Sequence, residues 1–163
     1  MIRPATPGDL PEIMPLFEKA RKFMCRMGNP HQWIDGYPSE AIIGKDIINH
    51  NFYVEETEGG ITGAFALIIG NEPTYRTILG NWINENPYGT IHRLVSDGTQ
   101  KGFTERCIRF CMKLIPNLRA DTHRDNVPMQ KALLRNSFRY CGIIHVANGS
   151  ERLAYQLAAS INS

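Results

Sequence analysis

The chain has little of what would place it in several broad classes of protein. Nowhere in its 163 residues is there an apolar run approaching the roughly 20 residues needed to cross a bilayer. Met1-Ile2-Arg3-Pro4 leads straight into strand-like sequence without the apolar core of a signal peptide. A soluble, cytoplasmic protein with no membrane partner is the expectation. A surplus of one charge is also missing: 18 Lys and Arg stand against 16 Asp and Glu, for a net charge of +2 with the basic residues scattered. That argues against a nucleic-acid partner and leaves room for a small anionic ligand. Only four cysteines occur (Cys25, Cys107, Cys111 and Cys141), none in CxxC spacing. Cys107 and Cys111 fall on one helical face without further ligands nearby, so they read as core and no metal is expected. No internal repeat or low-complexity tract interrupts the chain, and 42% apolar residues suffice for a core. Residues 1–163 therefore read as a single domain.

The most informative stretch is residues 90–126. Thr90-Ile91-His92-Arg93-Leu94-Val95-Ser96 has the apolar, β-branched character of a buried strand. A polar loop at 97–102 follows, then an amphipathic helix over 103–115 with Phe103, Cys107, Ile108, Cys111, Leu114 and Ile115 on its apolar face. A second strand spans 118–122, and Asn126 caps another helix with Pro128 in its first turn. Such a strand-loop-helix-strand unit brings a turn of free backbone N–H groups and a helix N-terminus to one point, which favours phosphate.

The flanking segments complete the pattern. Residues 2–5 read as a strand, and Thr6-Pro7-Gly8-Asp9 carries the elements of a helix start. Leu10, Ile13, Met14, Phe17, Ala20, Met24 and Met27 then form one apolar stripe as far as Gly28. The loop at 29–38 holds Gln32, Trp33 and Tyr37 among prolines and a glycine. It is either anchored on the core or forms one wall of a substrate cleft. Ser39 caps a second helix to about 49. Residues 52–57 and 61–69 form a hairpin, as do 138–146 and 150–157. Residues 72–87, around Trp82, carry no clear pattern. The order predicts an α/β (α+β) fold: a mixed central sheet of about seven strands with helices on both faces. The closing hairpin would leave an edge able to pair with a second copy in a homodimer.

Several of these local patterns, in this order, resemble the GCN5-related N-acetyltransferase (GNAT) family over nearly the whole chain. They are the opening Ile-Arg-Pro-Ala-Thr with Asp9-Leu10, Gly63 in its strand, His92-Arg93-Leu94-Val95-Ser96, Lys101-Gly102-Phe103-Thr104 in place of the glycine-rich loop, Asp121-Thr122 with Asn126, and Phe138. The resemblance implies an acyl-CoA N-acyltransferase fold in which acetyl-CoA, as co-substrate, lies where the strands 90–96 and 118–122 splay apart. The pantetheine would bond to the backbone of Leu94, Val95 and Ser96. The pyrophosphate would sit on the amides of Lys101, Gly102, Phe103 and Thr104, with Asn126 holding the pantetheine or phosphate side. Two positions depart from the family pattern. The loop is shorter and has Thr99 and Thr104 at its ends, and Leu133 stands where the family carries a tyrosine acid.

The activity this implies is transfer of an acetyl group from acetyl-CoA directly to an amine of a small molecule or peptide. A lysine-like amine has a reference pKa of about 10.4, so a base is needed. His92 is the candidate, since an imidazole titrates near neutrality, although an edge histidine bonded to a neighbour has the same pattern. His123 is a second candidate, placed in a loop. Tyr140 or water could act in place of the absent tyrosine. No cysteine has an adjacent base that would favour an acetyl-enzyme. Gln32, Trp33 and Tyr37 are the expected acceptor wall. The alternative is an acyl-CoA-binding sensor or structural module without transferase activity, and an unrelated nucleotide-binding α/β domain is a third reading.

Overall fold

The computed structural model describes residues 1–159. Its strands are β1 (Ile2–Pro4), β2 (Phe52–Thr57), β3 (Gly60–Ile69), β4 (Leu79–Gly80), β5 (Gly89–Ser96), β6 (Asn117–Thr122), β7 (Arg139–His145) and β8 (Glu151–Ala158). Four α-helices accompany them: α1 (Leu10–Arg26), α2 (Glu40–Ile48), α3 (Phe103–Leu114) and α4 (Val127–Arg135). The strands form one mixed sheet of eight in the order β1-β2-β3-β5-β6-β8-β7-β4. The strand beyond the expected seven is β4, contributed by the segment between β3 and β5 that carried no clear pattern. It pairs with β7 through Leu79 and Gly80, so part of the closing hairpin's outer edge is already covered. Among the described residues, no helix is long and apolar enough to cross a membrane.

The termini of the helices follow from local chemistry. Asp9 accepts the Thr6 N–H at 2.8 Å and a forked pair of bonds from Arg3 at 2.8 and 3.0 Å, which ties β1 to the start of α1. Arg3 holds the Asp9 carboxyl down at about 2. The Ser39 hydroxyl accepts from Ile42 N–H at 3.2 Å and opens α2.

Strand β3 is nearly all apolar because both of its faces are covered. Ala64 and Ala66 meet α1 and α2 in a core with Ile13, Phe17, Ile43 and Val54. Phe65 and Leu67 meet α3 and α4 in a second core with Cys107, Ile108, Cys111 and Leu133. Burial pushes the Cys107 thiol well up, as suits a packing residue.

A bulge interrupts β5. Its register against β3 passes from Ala66↔His92 to Ala64↔Val95, leaving two residues of β5 opposite one of β3, and Arg93 takes a φ of 53°. With strict alternation Ile91 and Val95 would share a face. Instead Ile91 joins the α3/α4 core and Val95 the α1/α2 core. The segment between β3 and β5 covers the far end of the sheet. There Tyr75, Trp82 and Tyr88 pack with Ile144 and Ala154, and the Arg119 guanidinium lies 4.0 Å from the ring centres of both Trp82 and Tyr88.

Candidate active site

Among the described residues only one neighbouring pair in the sheet is parallel, and it is brief. β5 meets β6 at Gly89↔Leu118 and Thr90↔Arg119, after which the strands diverge. Their divergence opens a cavity of about 540 Å³. Part of its lining is apolar, from Ile91, Leu94, Ile108, Ala120, Met129 and Leu133. The rest is polar and includes the charged side chains of Asp35, Glu72, Arg93, Asp121 and Arg152, together with His92.

His92, Leu94, Thr104, Asn126, Gln32, Trp33 and Tyr37 all line this space. The bulge anchors its base. Arg93 donates to both oxygens of Asp46, at 2.8 and 3.0 Å, and to the Tyr37 hydroxyl at 2.9 Å. This connects β5, α2 and the loop at 29–38. Trp33 packs on Phe17 with ring centres 5.5 Å apart, so the loop is both anchored and part of the wall. The Gln32 side-chain oxygen accepts from Asn29, Thr122 Oγ1, the His123 N–H and Asn126 Nδ2 at 3.0 to 3.4 Å. Asn126 Oδ1 in turn accepts the Met129 N–H at 3.2 Å. The side chains of Gln32 and Asn126 therefore fasten the loop to the end of β6 and the start of α4.

The remaining expected contacts are backbone groups. Val95 and Phe103 are buried, with Phe103 packed so closely on Gly63 that a Cβ there would lie 2.6 Å from its ring. Lys101 and Gly102 are exposed, and Gly102 precedes α3 with a φ of 79°. Arg106 bonds both oxygens of Glu55 at 2.7 Å and also donates to the carbonyls of Gln100 and Lys101. Those carbonyls are thereby held toward the guanidinium at the start of α3. The first amides of α3 and the edge of β5 beyond Thr90 can accept an extended ligand with an anionic end. An apolar trough beside a free strand edge and a helix N-terminus fits an acyl-CoA.

Three features of the site were not read from the sequence. Glu72 Oε2 lies 3.5 Å from His92 Nε2, and the same carboxylate accepts from the Thr74 hydroxyl at 2.9 Å and its N–H at 3.3 Å. His92, ahead of the burial that opposes it, holds Glu72 down at about 2. Tyr75, which burial pushes well up, donates to Asp121 Oδ2 at 2.6 Å. Arg152 donates to Ser150 Oγ, Glu151 O and Gln32 O. Glu72, Thr74 and Tyr75 belong to the segment without a pattern, where only the turn-forming Glu-Pro-Thr gave a local signal. Two expectations are corrected. Tyr140 meets Tyr155 edge-on, neither ring lining the cavity, and Tyr140 is largely exposed. His123 is buried, with Nδ1 accepting the Asp125 N–H at 3.0 Å, and its pKa is lowered by burial.

No protein-family model matches the sequence, and no curated protein does. Among solved structures, a GNAT-family acetyltransferase from Streptococcus agalactiae is 33% identical, with a TM-score of 0.89 over 98% of this chain and 95% of that one. The chain belongs to the GNAT family. A GNAT acetyltransferase from Listeria monocytogenes shares the fold at 21% identity and a TM-score of 0.72, covering 96% of this chain and 92% of that one. A GNAT-like decarboxylase, GphF, in complex with isobutyryl-CoA shares it at 17% identity and 0.64, covering 97% and 98%. Membership in GNAT makes the protein an acyl-CoA-dependent acyltransferase in kind.

Proposed function

We propose that the protein transfers the acetyl group of acetyl-CoA directly to a primary amine, with His92 as the general base. The observation that carries this reading is the His92–Glu72 pair at the mouth of the β5/β6 cleft. Glu72 beside Nε2 favours the tautomer protonated there, which leaves Nδ1, unbonded among the described residues, as the basic nitrogen of a ring that lines the cavity. Acetyl-CoA supplies the acyl group as a thioester.

The apolar part of the lining and the backbone of Leu94, Val95 and Ser96 would hold the pantetheine. The amides of Lys101, Gly102, Phe103 and Thr104 would take the pyrophosphate, while Asn126 keeps the loop at 29–38 closed over the site. Free N–H groups on the edge of β5 can polarise the acyl carbonyl. His92 Nδ1 removes a proton from the acceptor nitrogen, and Gln32, Trp33 and Tyr37 form the wall that confines the acceptor. With Leu133 at the family's tyrosine position, the departing sulfur takes its proton from water. A thiol with a reference pKa of about 8.5 is already a fair leaving group.

The test is to incubate the purified protein with acetyl-CoA and a panel of amines and follow free thiol. Amine-dependent release that drops by about 100-fold or more in His92→Ala supports transfer. Leu133 is the observation that favours the alternative of an acyl-CoA-binding module. Tight CoA binding with no thiol release across the panel would establish that reading instead.

A further inference from the structure

Two neighbouring groups of opposite sign in the cavity, Arg152 and Asp121, feel each other's charge without meeting in an ion pair. Arg93 is neutralised by Asp46, and His92 faces Glu72. Arg152 is only 6% exposed, yet its acceptors are a hydroxyl and two carbonyls, at 2.8, 3.0 and 3.2 Å. Its Nε makes no hydrogen bond among the described residues, and it forms no ion pair with them. The contrast with the other buried guanidinium, Arg119, is direct, since that one is sandwiched between two rings and lies 3.5 Å from Glu85. Burial opposes the charge on Arg152 and Asp121 offsets that without bonding to it, so an anion arriving from solvent would find an unpaired guanidinium to bind.

The second group is Asp121. Its Oδ2 accepts from Tyr75, while Oδ1 accepts nothing among the described residues. Asp121 pairs with Ala154 across β6 and β8, and Arg152 stands two residues from Ala154 on β8. The two side chains therefore leave the same face of the sheet as diagonal neighbours, the spacing at which long side chains remain within reach of one ligand. Both line the cavity that His92 lines.

We propose that the acceptor is an amino acid, a small primary amine that carries its own carboxylate, with that carboxylate on Arg152 and its ammonium on Asp121. The proposal rests on the transferase reading above. His92 takes one proton from the ammonium, the neutral nitrogen bonds to the acyl carbon as the C–S bond breaks, and the electron pair leaves on sulfur. The sulfur ends protonated, the nitrogen ends as an amide, and one proton in net passes to solvent. The acetylated product no longer has a cation for Asp121 to hold, whereas the carboxylate stays on Arg152. Asp121 thus favours substrate over product, and part of the binding is released with the reaction.

The experiment compares kcat/KM for amino acids with that for their decarboxylated counterparts: glycine with methylamine, phenylalanine with phenethylamine, lysine with cadaverine. A charge-assisted forked contact predicts a preference for the amino acid of roughly 10- to 100-fold. In Arg152→Gln that ratio should fall toward one, chiefly through KM, and Arg152→Lys should restore part of it. If Arg152→Gln does not fold, Arg152→Lys carries the comparison, because a lysine cannot reproduce the forked contact. A wild-type ratio of one or less, or a ratio that survives in Arg152→Gln, overturns the proposal. If no amine at all releases thiol, the transferase reading fails by itself. Calorimetric titration of the same amino acids into the CoA-bound protein then decides the inference: binding lost in Arg152→Gln upholds it, and no binding to the wild type overturns it.

Discussion

Glu72 Oε2 stands 3.5 Å from His92 Nε2, the carboxylate supplied by the segment between β3 and β4 and the imidazole by β5. Because Glu72 is held at about 2, it stays ionised throughout the range in which an imidazole titrates. It therefore acts as a fixed charged acceptor that orients the imidazole, and Glu72→Gln removes that charge, an effect read in kcat/KM. Its plateau across pH should fall by roughly tenfold, since the ring loses the contact that orients it. The check is a pH–rate series on the variant beside the wild type.

Asp46 joins α2 to the bulge in β5 through two bonds to Arg93. Asp46→Ala leaves a buried guanidinium with only the Tyr37 hydroxyl and should destabilise the fold by about 3 kcal/mol or more. Denaturant titration measures this. The double variant Asp46→Ala, Arg93→Leu should recover part of the loss, because neither charge then remains buried.

The frame of the molecule was legible because it rests on local rules. The stripe from Leu10 to Met27, the cap at Ser39, the nearly all-apolar β3 and the cap at Asn126 each declare themselves within a few residues. His92 was singled out through the family resemblance and its imidazole chemistry, and the loop residues Trp33 and Tyr37 from their rings. What escaped depended on contacts between distant segments. The bulge at Arg93 follows from Asp46 and Tyr37 lying beneath it, a relation no spacing within β5 encodes. Glu72 and Tyr75 lie in a segment held by burying Trp82 and Tyr88 around Arg119, so its order comes from packing and not from periodicity. Arg152 had no local signal to single it out, since its contact with the loop at 29–38, through Gln32 O, joins residues far apart in the chain.

Gly63 allows β3 to pass directly under the first residue of α3. A methyl group there would meet the Phe103 ring at 2.6 Å and displace the N-terminus of α3. Gly63→Ala should destabilise by about 1–3 kcal/mol and raise the KM for acetyl-CoA more than it lowers kcat. Thermal melts and initial rates at varied acetyl-CoA separate the two effects.

Leu133 lines the apolar part of the cavity and is itself 4% exposed. Leu133→Tyr would place a hydroxyl where the family carries one. If water already serves the departing thiol, kcat should change by no more than about threefold, while the larger ring lowers stability by roughly 1–3 kcal/mol. Steady-state rates measured well below the melting temperature provide the comparison.

The central claim is that an acyl-CoA lies along β5 where that strand leaves β6, with its phosphates at the start of α3. A crystal structure of the protein with CoA tests it most directly. The account predicts density for the pantetheine beside the backbone of Leu94, Val95 and Ser96, the pyrophosphate at the amides of Lys101, Gly102, Phe103 and Thr104, and the thiol end directed toward His92. CoA bound elsewhere, or its thiol end directed away from the cavity that His92 and Arg152 share, would contradict it.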